Sequence, residues 1–215
     1  MQLPARKYVA SLDVDAQYTF TPVCPNELPV PGGDTIANEL NHQAQFGAYR
    51  LGSKDAHSPQ ALWVSNEQHP PFSPVDGANM DIRWPSHAVP GTKGFELLAG
   101  LPHPADYDFF VWKGVEPDMH PYGACYHDLA ERMSTGIIEY LRANKVSTVI
   151  VGGLATDYCV CHTVLQLLAA GFEVIVNRAA TFGVADKTSR HAIAEMIQHG
   201  AHFVHHSAEL EQAND

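Results

Sequence analysis

The stretch STVIVGGLATDYCV, residues 147–160, decides the fold. Val149, Ile150 and Val151 are β-branched and apolar, the pattern of a strand buried on both faces of a parallel sheet. Gly152 and Gly153 end the run and permit a sharp turn. Thr156 and Asp157 are residue types that start helices, and an apolar period follows at Val160, Val164, Leu165 and Leu168. This places Cys159 in the first turn of a helix that follows a buried strand. Backbone N–H groups and the helix dipole there favour a thiolate, and the same groups can hold a developing oxyanion. The alternative is a buried structural cysteine, since free cysteine is among the most buried residue types.

Outward from this unit, strands and helices alternate. Strands are expected over residues 8–14, 49–54, 108–113, 172–177 and 201–204, and helices from Asp34, Ser134 and Asp186. That alternation predicts a doubly wound α/β fold, a mostly parallel six-stranded sheet flanked by helices, as one domain over residues 1–215. The polar tail from Ser207 is expected to fray. Residues 58–94 are proline-rich and show no period, so they read as a loop insertion. Tryptophans 63 and 84 and histidines 69 and 87 argue that it is ordered, and a metal would order it.

Bulk properties exclude several classes. With 215 residues, a net charge of −11 and a pI near 5.5, the chain is a poor match for nucleic acid or an anionic membrane. No apolar run approaches the ~18 residues of a membrane span, and the N-terminus has no signal-peptide core. Cysteines 24, 125, 159 and 161 are too few for a disulfide scaffold, so reduced thiols and a cytoplasmic location are expected.

Charged residues gather at the expected strand ends: Asp13 and Asp15, Asp55, Lys113, and Cys159 just beyond the fourth. In a parallel sheet these carboxyl ends share one edge, where ligands bind. A thiol, an acid and a lysine in one crevice suit acyl transfer; a solvated strand end is the plainer reading of a lone lysine. Asp55-x-His57, with His87 and either His69 or Glu67, offers carboxylate and imidazole donors to a divalent ion.

Four segments carry a resemblance: residues 12–20 (LDVDAQYTF), 28–33 (LPVPGG), 84–92 (WPSHAVPGT) and 153–160 (GLATDYCV). Together they resemble the isochorismatase-like cysteine hydrolases, and within them the nicotinamidase and pyrazinamidase branch. The resemblance implies Asp15 as general acid/base, Lys113 as thiolate partner and Cys159 as nucleophile. It also implies a cis peptide between Leu154 and Ala155, with the N–H groups of Ala155 and Cys159 as the oxyanion hole. Phe20, Trp84 and Leu154 would contact substrate. Asp55, His57, His69 and His87 would bind one divalent ion, zinc first, with iron or manganese as alternatives. The implied reaction is hydrolysis of nicotinamide to nicotinate and ammonia through a cysteine thioester, with pyrazinamide as a further substrate. The implied partner is a small aromatic amide, with self-association left open. Rival readings are a hydrolase of another small amide or of isochorismate, a non-enzymatic metal-binding protein, and a redox protein using Cys159 and Cys161. Two departures stand out. Ala88 replaces the family's cysteine, and the 68–72 run QHPPF falls about six residues late for the family's third ligand.

Overall fold

The apolar run at residues 149–151 forms the middle of the sheet. Val149 and Val151 belong to a core with Leu141, Val164, Leu167 and Met196, while Ile150 packs on the opposite face with Leu3, Val204 and Leu210. The computed structural model describes residues 1–212. Its strands are β1 (Gln2–Leu3), β2 (Val9–Val14), β3 (Tyr49–Asp55), β4 (Phe109–Lys113), β5 (Thr148–Leu154), β6 (Glu173–Phe182), β7 (His202–Val204) and β8 (Glu211–Gln212). Its α-helices are α1 (Ala37–Ala44), α2 (Ile137–Ala143), α3 (Cys161–Ala169) and α4 (Asp186–Gln198). Six strands form one sheet in the order β4-β3-β2-β5-β6-β7, and every neighbouring pair is parallel. The chain steps outward from β2 to β4, then crosses back to place β5 on the other side of β2. The switch point therefore lies between β2 and β5, where a crevice opens at the carboxyl ends of an α/β sheet.

Three expectations need correction. Gly152 and Gly153 do not end the strand, which runs on to Leu154. A Cβ on Gly152 would sit 2.7 Å from Leu40 of α1, and Gly153 has φ +130 with Val14 O only 1.9 Å from where its Cβ would be. The glycines thus let α1 and β2 approach β5 closely. β6 is longer than its apolar core implied, because the pairing with β5 shifts register between Val151 and Gly153 and resumes at Thr181 and Phe182. The tail does not fray at Ser207. Ser207 and Leu210 are buried, and β8 pairs in parallel with β1. Residues 213–215 lie outside the described part.

Asp157 also plays a different part from the helix start read in the sequence. Its carboxylate accepts from the amides of Val184 (2.9 Å) and Ala185 (3.2 Å) and from the Thr188 hydroxyl, so it caps α4 rather than its own helix. Asp157→Ala is expected to lower the unfolding free energy by about 1–2 kcal/mol. Urea titration would measure this, and an unchanged midpoint would contradict the capping role.

Candidate active site

Asp15 follows β2, and Asp55 and Lys113 are the last residues of β3 and β4. Cys159 lies in a π-helical turn, Thr156–Val160, in which the Val160 amide reaches back five residues to Ala155 O (3.1 Å). Such turns are rare and recur at functional sites. The Leu154–Ala155 peptide is cis. The four strand ends therefore converge at the switch point.

All four groups are buried. Lys113 Nζ lies 3.0 Å from Asp15 Oδ2, donates to Asp55 Oδ1, and stands 3.7 Å from Cys159 Sγ. The thiol sulfur and one oxygen of each carboxylate lie within 4.8 Å of one another. Asp15 has φ +44 and is held by Ser53, whose hydroxyl donates to Asp15 Oδ1 (2.7 Å). Gln17 fixes Asp55 from both sides of its backbone: its Nε2 donates to Asp55 O (2.9 Å) and its Oε1 accepts from Asp55 N (2.8 Å).

Burial governs the charges. It raises the Asp15 carboxyl above its ordinary value, and Lys113 offsets this only in part. At Asp55 burial acts the same way, but the Lys113 ammonium and the flanking imidazoles outweigh it and the carboxyl is lowered. Burial favours a neutral Lys113, yet Asp15, Asp55 and Cys159 together raise it well above the usual lysine value. The Cys159 thiol is pushed well above its ordinary value by burial, more than Lys113 lowers it. The helix-start position alone had favoured a resting thiolate; desolvation reverses that, so this thiol needs a base.

Asp13, the neighbouring candidate acid, faces elsewhere. Its Oδ2 accepts from Arg50 Nε (2.9 Å), Arg50 Nη2 (2.7 Å) and the Tyr107 hydroxyl (2.9 Å). Cys161 Sγ lies 3.9 Å from Ala192 O on α4, and both it and Cys159 are free thiols.

A second cluster abuts the first. One nitrogen from each of His57, His87 and His120 lies within 4.8 Å of the others, and all three are buried. Asp55 bridges the clusters, with Oδ1 3.4 Å from His57 Nε2 and Oδ2 3.9 Å from His87 Nε2. Burial, then the neighbouring His57, lowers His87 to about 3, which keeps it a neutral lone-pair donor. His69 is not in this group. It is exposed, as is Glu67, in a surface turn where Asn66 Oδ1 accepts its backbone amide (2.9 Å). The loop buries Trp63 against the histidines, with ring centroids 4.7 Å from His57 and 5.3 Å from His87. Sequence reasoning missed His120. Its signal is the run His120-Pro121-Tyr122 soon after Lys113, which has the same His-Pro-aromatic character as the run at His69.

A narrow cavity opens on both clusters, walled by Phe20, Trp84, Tyr122, Tyr158, Ala155 and Cys159. Phe20 and Trp84, two of the expected substrate contacts, both line it. Leu154 does not line the cavity; it is fully buried, with its side chain against Gly33. Tyr122 and Tyr158 take that wall instead. The Trp84 indole N–H donates to the Tyr122 hydroxyl (3.3 Å), and Trp84 meets Tyr158 edge-on at 4.9 Å.

Residues 54–208 match the Isochorismatase domain. The chain belongs to the isochorismatase family. It is 33% identical over 201 residues to the nicotinamidase of Escherichia coli K12, covering 89% of this chain and 92% of that one. Two solved structures superpose closely on this family member. PnC1 from L. infantum in complex with nicotinate has a TM-score of 0.81 and 25% identity, covering 99% of this chain and 100% of that chain. The pyrazinamidase of Pyrococcus horikoshii in complex with zinc has a TM-score of 0.73 and 29% identity, covering 92% and 98%. The matched domain segment contains Asp55, Lys113, Cys159 and the three histidines, while Asp15 precedes it.

Proposed function

We propose that this chain hydrolyses nicotinamide to nicotinate and ammonia, with Cys159 as nucleophile. The observation that carries the reading is the buried contact of Asp15 and Lys113 with Cys159, which itself lines an aromatic-walled cavity. Similarity to the E. coli nicotinamidase and to a nicotinate-bound structure supports the choice of substrate. Pyrazinamide, with the same carboxamide on a similar ring, is a second substrate.

Asp15 takes the thiol proton as Cys159 Sγ attacks the carboxamide carbon. The C–S bond forms and the carbonyl electron pair moves to oxygen, where the N–H groups of Ala155 and Cys159 stabilise it. Burial raises the Asp15 carboxyl, which strengthens it as a base for this exchange. The intermediate collapses, the C–N bond breaks, and Asp15 passes its proton to the departing nitrogen, which leaves as ammonia. Water then attacks the thioester while Asp15 accepts its proton. The C–S bond breaks, nicotinate leaves, and the thiol is restored. Throughout, the Lys113 ammonium offsets negative charge on sulfur and on Asp15, and Asp55 holds the ammonium in place.

The donor set fits a divalent ion. Buried His57 Nε2 has no hydrogen-bond partner among the described residues, while its Nδ1 is bound to Gly114 O (2.9 Å) and His87 Nδ1 to Pro85 O (2.7 Å). Carbonyl partners of this kind fix the tautomer and turn Nε2 toward a ligand. Asp55, His57 and His87 would hold the ion, and imidazole with carboxylate suits zinc, iron or manganese. A bound ion would offer a Lewis-acid position to the pyridine nitrogen.

The test is ammonia release from nicotinamide and from benzamide, which share a shape and differ in the ring nitrogen. Nicotinamide is expected to have a kcat/KM larger by about 10²-fold or more, as for sites built to bind a polar group that the analogue lacks. Chelation should abolish most of that preference. Equal kcat/KM for the two amides would remove the proposed recognition of the ring nitrogen, and no ammonia from either would reject the activity.

A further inference from the structure

His120 has the features of a ligand held ready. Its ring is buried, and neither ring nitrogen has a hydrogen-bond partner among the described residues. A buried polar group without a partner costs roughly 1–3 kcal/mol, so two on one ring need a reason. The ring is nevertheless firmly placed. It stacks on His57 (5.1 Å, 19°) and on Trp84 (5.8 Å, 13°), and Trp63 meets it edge-on at 4.4 Å. Its backbone is tied to the 58–94 loop on both sides. The His120 amide donates to Asn79 O (2.8 Å), and the Trp63 indole N–H donates to Met119 O (3.0 Å). An imidazole fixed by packing and backbone, with its nitrogens left free, is preorganised for something it binds. One of its nitrogens lies within 4.8 Å of ligating nitrogens on both His57 and His87.

We propose that His120, on the segment after β4, is the third protein imidazole of the metal centre, in the place that the sequence assigned to His69. The proposal rests on reading the His57 and His87 cluster as a metal site. It carries a consequence for the cavity. Trp84 is a cavity wall and stacks on His120, so the ion fixes the aromatic wall as well as the substrate-facing donors. Trp63 touches all three imidazoles and reports on the same event.

Metal-stripped full-length protein is titrated with Zn²⁺ against a chromophoric chelator, for wild type, His69→Ala, His120→Ala and His120→Asn, with tryptophan fluorescence followed in parallel. Wild type and His69→Ala are expected to bind one ion with affinities within about twofold, and zinc should change the emission of both. The His120 variants should bind at least about 10-fold more weakly, since even the outer partners of metal ligands contribute 10–100-fold. Wild-type affinity in His120→Ala would overturn the proposal. A loss in His69→Ala instead would also overturn it. Should the His120 variants fail to fold, X-ray absorption on zinc-loaded wild type decides: three imidazoles are expected, and two overturn the proposal. Wild type that takes no zinc would reject the metal centre itself, whereas zinc held equally by all variants rejects only His120. Neither readout needs amide turnover, so the hydrolase reading stands or falls separately.

Discussion

Cys159→Ala is expected to reduce ammonia release from nicotinamide by about 10⁵–10⁶-fold, the scale seen when the nucleophile of a covalent hydrolase is removed. The sulfur is the only atom lost, and it lies 3.7 Å from Lys113 Nζ and within 4.8 Å of oxygens on Asp15 and Asp55. No other thiol replaces it, because Cys161 faces Ala192 on α4. The fold should survive. Deleting one buried sulfur leaves a small cavity costing about 1–2 kcal/mol, and Lys113 keeps both carboxylate partners. Cys161→Ala should lose a similar amount of stability and keep its turnover. Circular dichroism beside the ammonia assay separates the two effects. Substantial turnover in purified Cys159→Ala would remove the covalent route.

The second large effect separates two acids that lie two residues apart. Asp15→Asn is expected to lower kcat by about 10²–10⁴-fold, because one carboxyl moves the proton in every step. Its thermal midpoint should change little, since Lys113 retains Asp55 and the amide can still accept from Ser53. Asp13→Asn should do the reverse. Asp13 Oδ2 holds Arg50 through two nitrogens and also accepts from Tyr107. Neutralising it leaves a mostly buried guanidinium without its anion, at a cost of about 3–5 kcal/mol when such a pair is broken. The expected pattern is a slow but stable Asp15→Asn and a less stable but active Asp13→Asn. An inactive Asp13→Asn beside an active Asp15→Asn would mean that the acid has been misassigned.

The division between what was legible in the sequence and what was not follows from the range of the interactions. Asp15, Asp55, Lys113 and Cys159 could be placed because each stands at or just past a strand end, and a parallel sheet brings such ends to one edge whatever the loops do. Asp13 and Asp15 could not be told apart in this way. Their difference depends on Arg50 and Tyr107, which meet Asp13 only across the folded sheet. The histidine cluster was half legible for the same reason. His57 stands two residues past Asp55 and inherits its position, but His120 lies in a segment without periodicity that is located by Trp63 and Asn79 of a distant loop. His69 has the same local chemistry and ends at the surface because Asn66 turns the chain there. The tail misled in a similar way. Its polar composition hides Leu210, whose partners Leu3 and Val204 are remote or unremarkable in sequence. Asp157 looked like the cap of its own helix and caps α4, a pairing that depends on the crossover between β5 and β6.

The central claim, that the amide is cleaved through a thioester on Cys159, is tested most directly by rapid-quench mass spectrometry of a single turnover, with enzyme in excess over nicotinamide. The account predicts a nicotinoyl group on the peptide containing Cys159 that rises before nicotinate and decays as nicotinate forms. Nicotinate appearing at the full rate while Cys159 stays unmodified throughout, or a nicotinoyl group on any other residue, would contradict it.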